Sequence, residues 1–165
     1  MLIVAEILSV FEWLESSSLA LMFRQSIWLY PIVEIVHIAG FAVLVGSAVL
    51  FDIRLLGFAK QVPVTDCTRY LLFWARLSFL AVLPSGLILF VVDATGMVSN
   101  PAFQIKLILI GVALLNASVF HKFTIISVHE WNINRPTPLA AKIAGALSVF
   151  LWFGVISCGR LIAYV

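Results

Sequence analysis

Apolar and polar positions follow two rhythms along this chain: a short amphipathic opening, then four long apolar runs separated by polar connections. Over residues 1–16, Leu2, Ile3, Val4, Ile7, Val10, Phe11 and Leu14 share one face of a helical wheel, and Glu6, Ser9, Glu12, Glu15 and Ser16 share the other. This pattern predicts a helix lying in the membrane interface and not across it. With glutamates in the stretch and no basic n-region, it is not read as a cleaved secretory signal. Ser16, Ser17 and Ser18 break the pattern and offer an N-cap for a short segment over 19–27. Residues 1–26 are thus expected to form one or two interfacial amphipathic helices.

The apolar runs cover about 27–51, 70–92, 102–128 and 139–165, each long enough to cross a hydrocarbon layer of roughly 30 Å. Pro31 suits a first helical turn, where its missing N–H is not needed. Asp52, Arg54, Gly57 and Lys60 mark the exit of the first run, and Pro63, Thr65 and Asp66 form a polar connection. Arg76 interrupts the second run, and Pro84 followed by Gly86 predicts a kink there. Residues 93–101 read as a tight turn and 129–138 as a polar loop with two prolines. Short connections force antiparallel neighbours. The expected fold is all-α: a single-domain integral membrane four-helix up-down bundle preceded by an N-terminal amphipathic interfacial helix. No internal repeat is evident.

Composition sharpens this picture, because 63% hydrophobic and 11% charged residues exclude an ordinary soluble domain. The net charge of +2 is scattered and gives no footprint for nucleic acid. Arg54, Lys60, Arg69, Lys122, Arg135 and Lys142 flank the first and third connections, whereas Arg24, Lys106 and Arg160 flank the other side. The positive-inside rule then places those two connections in the cytoplasm and both termini outside. Cys67 and Cys158 fall toward opposite faces, so no disulfide between them is expected.

An ionisable side chain near the centre of a bilayer costs ~2.5–3.5 kcal/mol and calls for a partner or a purpose. Six candidates stand in the runs: Glu34, His37, Arg76, Lys106, His121 and Arg160. Lys106 and Arg160 lie near predicted helix ends and can snorkel. Glu34 and His37 share a helical face that continues through Gly40, Leu44 and Ser47. Similar stripes are Gly111, Leu114, Ser118, His121 and Ile125 in the third run, and Gly145, Ser148, Trp152, Val155 and Gly159 in the fourth. Small residues of this kind read equally as close helix packing or as room for a flat ligand.

Two histidines on separate helices of a bundle are a common way to hold haem b, which makes His37 and His121 candidate iron ligands. Arg76 and Arg160 are candidates to meet the propionates, and Glu34 to orient His37 or pair with Lys106 or Arg24. Depth stands against the pair. His37 is about six residues inside its run and His121 about nineteen, an offset of up to ~20 Å, or roughly 10 Å if the first helix begins at Ile27. Met97 is an alternative thioether ligand; His121 reads alternatively as an interfacial residue beside Lys122, and His129, beside Glu130 and Trp131, as a solvated loop residue. Asn116 is a candidate interhelical hydrogen-bond donor.

The stretches SLALMFRQSIWLYPIVEIVHIAG, FDIRLLGF, FQIKL and NASVFH together resemble a family of small four-helix bacterial inner-membrane proteins of unknown function. The block of Tyr30, Pro31 and His37 with Asp52, Arg54, Leu55, Leu56 and Gly57 is the most specific part of that likeness. It implies this architecture and a bacterial inner-membrane location, in which the charge count above makes both termini periplasmic, and it brings no activity. At the level of a bundle with histidines, the chain is also similar to b-type membrane cytochromes and to copper-resistance membrane proteins of the D type.

No nucleophile with an adjacent base, phosphate-cradling loop or nucleotide motif appears, so enzymatic activity beyond electron carriage has no signature. Three functions stay open. The first is a small haem-b protein passing electrons between a quinol or redox protein partner and another centre. The second is a non-haem oligomeric scaffold or accessory subunit. The third is a proton or metal transporter using Glu34 and His37. Short helices and an acidic N-terminal edge predict a homo-oligomer in the lipid bilayer.

Overall fold

The computed structural model describes residues 2–165, with side chains from Leu8 onward. Eight α-helices are described: α1 (Leu2–Glu15), α2 (Ser18–Gln25), α3 (Leu29–Leu55), α4 (Val64–Val92), α5 (Ala94–Ser99), α6 (Pro101–Val119), α7 (Val128–Trp131) and α8 (Leu139–Leu161). Between α6 and α7 lie a π turn, Phe120–Thr124, and a 3-10 turn, Ile125–Ser127. Four continuous stretches, Leu29–Leu55, Val64–Val92, Pro101–Trp131 and Leu139–Leu161, are long and apolar enough to cross a membrane. They fit a four-helix membrane bundle with short helices before it.

Local chemistry explains most boundaries. Ser17 caps α2 by accepting from the Ala20 N–H. Leu2, Ile3, Val4 and Ile7, assigned above to the apolar face of α1, lie outside the described side chains. α3 ends in a Schellman closure: the Gly57 N–H donates to Arg54 O and the Phe58 N–H to Ile53 O, with Gly57 at φ +102°. That closure gives the FDIRLLGF stretch a physical meaning. The sequence reading placed the exit at Asp52, but the helix keeps Asp52 and Arg54 in its last turn and buries both.

The second span also starts earlier than expected. Pro63 is the N-cap of α4, and Asp66 lies in the first turn, where a carboxylate complements the helix dipole. The expected turn over 93–101 contains α5, and residues 128–131 of the expected span-and-loop boundary form α7.

α3 packs along α4 and along α8, and α8 packs along α6. Contrary to the rule that a short connection makes neighbours, α4 and α6 do not pack along their lengths. They meet where Phe90 and Phe103 stack at 5.7 Å. The reason lies at that end, where α5 is interposed and α1 docks on α4 through an edge-on Phe11–Phe90 contact at 6.0 Å. The densest packing is at the opposite end, where Phe51, Leu55, Val64, Phe120, Val128, Trp131 and Ala141 form one buried cluster. Gly145 admits it: a Cβ there would lie 3.1 Å from both Asp52 O and Leu55 Cβ. We refer below to the α5 end and the Arg54 end.

Candidate functional site

His37 projects from α3 onto α4 in the half of the bundle nearer α5. Its Nδ1 lies 3.1 Å from Val82 O and 3.0 Å from Ser85 Oγ. A carbonyl only accepts, so Nδ1 carries the proton. Ser85 in turn donates to Ala81 O at 2.6 Å and turns a lone pair to the imidazole. This tautomer leaves Nε2 with an unshared pair. Glycine is required beneath the ring: a Cβ on Gly86 would stand 2.9 Å from His37 Cε1. Gly40, one turn along α3, keeps the helices close, since a Cβ there would meet Val82 Cγ2 at 3.0 Å. Phe41 stacks beside the imidazole at 6.4 Å and meets Trp152 of α8 edge-on at 6.1 Å. His37 itself is only half-buried.

The other candidates fall elsewhere. Glu34 is exposed and makes no ion pair, so it does not orient His37, a role taken by Val82 and Ser85. The expected partner Arg24 is bonded instead to Glu15 at 3.1 Å and to the Val92 carbonyl. His121 lies on the π turn, edge-on to Phe120 at 5.5 Å and within electrostatic range of Arg76. Arg160 donates to the Tyr164 hydroxyl and lies over its ring at 4.9 Å. Met97 borders a hollow of about 230 Å³ at the α5 end with Asp93 and Asn100, and His129 one of about 320 Å³ with Glu130 and Arg135 at the other end. Asn116 does bridge helices, donating to Ala144 O at 2.9 Å. Cys67 and Cys158 are free thiols on different helices.

The structure therefore does not bring His37 and His121 together. α8 serves as a common ruler: Phe41 meets Trp152, Leu109 reaches Gly154, and Lys106 Nζ reaches Gly159. Since α3 and α6 run the same way, His37 and Lys106 fall within about one turn, ~5 Å, in depth. His121 is 15 residues farther along the α6 span than Lys106, or ~22 Å at helical rise. Lys106 is also within electrostatic range of His37.

Sequence reasoning passed over two further groups. Arg54, 2% exposed, donates from Nε to Val62 O at 2.7 Å and from Nη2 to Asn132 O at 2.9 Å. Asn132 accepts from the Thr65 N–H at 3.0 Å and donates to Thr65 Oγ1 at 3.2 Å. These bonds stitch the two connections at that end to the start of α4. Beside them Asp52 is buried with Oδ2 unpartnered and Ser148 near its carboxylate. At the α5 end, Glu15 accepts from the Thr95 N–H at 2.6 Å and pairs with Arg24, which fastens α1 and α2 to α4 and α5. The Thr95 hydroxyl and N–H, and then the Arg24 guanidinium, hold the Glu15 carboxyl below the usual carboxylate range.

The geometry offers a neutral imidazole nitrogen inside a membrane bundle, anchored from behind by a carbonyl. Metal-binding histidines are commonly held in this way. Among the described residues, no group of three or more His, Cys, Asp or Glu side chains gathers for a metal ion. No curated protein and no solved structure matches this chain. A family model does match, over residues 10–165, and its description is a family of unknown function, DUF6644. With the match running through every spanning helix, the chain belongs to the DUF6644 family of unknown function.

Proposed function

We propose that the protein is a small haem-b-binding electron carrier of the bacterial inner membrane, with His37 as a residue that would hold the iron. The observation that supports this reading is the Nδ1–H bond from His37 to Val82 O, which leaves Nε2 free as a nitrogen donor. The residues around it suit a flat apolar group. Gly86 lets the imidazole seat closely on α4, Phe41 and Trp152 supply aromatic walls, and α4 and α6 part without packing. A haem held there supplies a one-electron couple inside the bilayer, suited to exchange with a quinol or a redox protein. The task of this chain's own residues is to orient the ligand ring and exclude water.

A second reading comes from the same hydrogen bonds, because they also lock α3 to α4. In that case His37 is a packing residue of a non-haem scaffold or accessory subunit. Absorption spectra of the purified protein, oxidised and then dithionite-reduced, separate the two. The haem reading expects a Soret band with sharp reduced α and β bands, lost in His37→Ala while the variant still elutes as folded protein. A colourless wild type sinks the haem reading and leaves the scaffold.

A further inference from the structure

Arg76 is the unclaimed charge of α4. It stands well inside a span, its side chain is exposed, and among the described residues it makes no hydrogen bond, ion pair or ring contact. Other cations of that half are supported: Arg69 lies over the Tyr70 ring at 5.9 Å and Lys122 over the Phe123 ring at 5.4 Å. The group that Arg76 does meet, within electrostatic range, is a second base, His121. That imidazole is half-buried on the π turn, a feature frequent at functional sites, and neither ring nitrogen is hydrogen-bonded within the described chain.

Packing explains why the two meet. Leu72, one turn before Arg76, packs against the buried cluster that contains Phe120, the neighbour of His121. Beyond that cluster α4 and α6 part. The two bases therefore flank the mouth of the opening. His121 is 20 residues past Pro101, or ~30 Å at helical rise, which is the thickness of the hydrocarbon layer. With the start of α6 at one headgroup boundary, the mouth lies at the other. Leu80, Leu83 and Leu87 follow Arg76 on one face of α4, and all three are half or more exposed. This apolar track runs ~16 Å, about one leaflet of hydrocarbon.

We infer that the mouth between α4 and the π turn binds the phosphate of an acidic phospholipid, with Arg76 and His121 donating to its oxygens and an acyl chain lying along Leu80, Leu83 and Leu87. Two bases with no acid beside them call for a negatively charged, acceptor-only group. A lipid phosphodiester is such a group, and a membrane presents it at this level. The guanidinium fork matches two phosphate oxygens. A headgroup at an open, lipid-facing mouth needs no enclosed cavity. A zwitterionic lipid carries the same phosphate with a cation attached, which the two bases repel, so the site selects for net negative charge. This inference stands apart from the haem reading.

The test is native mass spectrometry of the full chain released from nanodiscs that hold phosphatidylglycerol and phosphatidylcholine in equal amounts with identical acyl chains. Wild type is compared with Arg76→Gln, Arg76→Lys, His121→Ala and Arg69→Gln, the last removing an interfacial cation outside the mouth. We expect wild type to retain phosphatidylglycerol in preference, and Arg76→Gln to lower that preference about fivefold, the value of one cation beside an anionic headgroup. His121→Ala should lower it less, Arg76→Lys should recover part of it, and Arg69→Gln should leave it unchanged. An equal fall in Arg69→Gln, which reports general surface attraction, or an unchanged preference in Arg76→Gln overturns the inference. Thermal unfolding of wild type in neutral detergent gives a readout that needs no variant. Phosphatidylglycerol should raise the midpoint while phosphatidylcholine and inorganic phosphate do not. An equal rise with inorganic phosphate overturns the lipid assignment.

Discussion

The two ends of this bundle differ in how their polar side chains meet the packing around them. At the Arg54 end, the guanidinium bonds the carbonyls of Val62 and Asn132 and Asn132 bonds Thr65, while Arg54 Nη1 and Asp52 Oδ2 stay buried without a hydrogen bond. Around them aromatic and aliphatic side chains close into one cluster. In the α5 half, His37 Nε2 has no partner among the described residues, and α3 does not pack along α6. The difference separates a structural cluster from a candidate site. Buried side-chain bonds to the carbonyls of two connections hold a fold, while an unshared nitrogen held in a fixed position is what a ligand needs.

Three experiments would break or sharpen this contrast. The largest effect is expected at the Arg54 end. Arg54→Ala strips partners from two connections and leaves buried carbonyls unpaired, at about 1–3 kcal/mol for each group left unsatisfied. Thermal unfolding in detergent should show a strongly lowered midpoint, and an unchanged midpoint would remove the Arg54 network from the account of stability. In the α5 half, Gly86→Ala drives a Cβ to within 2.9 Å of His37 Cε1, a local overpacking of about 1–3 kcal/mol. It should displace the imidazole and abolish the haem bands while the chain remains helical by circular dichroism. Bands of wild-type shape in that variant would separate His37 from the chromophore.

The smallest effect is expected at the Glu15 clasp. The folded-state pKa of Glu15 lies below its unfolded value, so its contribution is present above the ordinary carboxylate range and is lost as pH falls through the folded value. The clasp is near the surface, so no more than about 1 kcal/mol is at stake. Acidification should raise hydrogen exchange in α1 and α2 first, with Glu15→Gln already raised at neutral pH. Uniform exchange across the chain in both conditions would deny the clasp a separate role.

The four spans and the α1–α2 pair were legible because long apolar runs and a serine cap are local signals. The first turn of α4 was not, since Thr65 and Asp66 carry loop chemistry that a helix N-terminus also favours. His37 was visible as an ionisable group in an apolar run, but its partners Ser85 and Gly86 depend on the register of α3 against α4, which no local pattern encodes. Gly86 reads, with Pro84, as a kink signal, and nothing local marks it as the floor of the imidazole. Arg54 read as a topogenic charge, yet the chain reversals after α3 and α7 gather carbonyls around it. Lys106 reads as a snorkelling end residue, and its amine lies against Gly159 in the last turn of α8, a neighbour that spacing along the chain does not name.

The parting of α4 and α6 carries one more consequence. A Cβ on Gly111 of α6 would meet nothing within 4 Å beyond its own helix backbone, and residues such as Leu83, Leu87 and Ile108 are half or more exposed along the two helices. In a bilayer these surfaces face acyl chains, so a molecule reaching His37 arrives from the oil phase. The quantity that sets occupancy is then its mole fraction in lipid, not its molarity in buffer. Doubling the detergent or lipid at a fixed amount of a hydrophobic ligand halves that fraction. A dissociation constant for this site is therefore transferable only when it is expressed per volume of membrane.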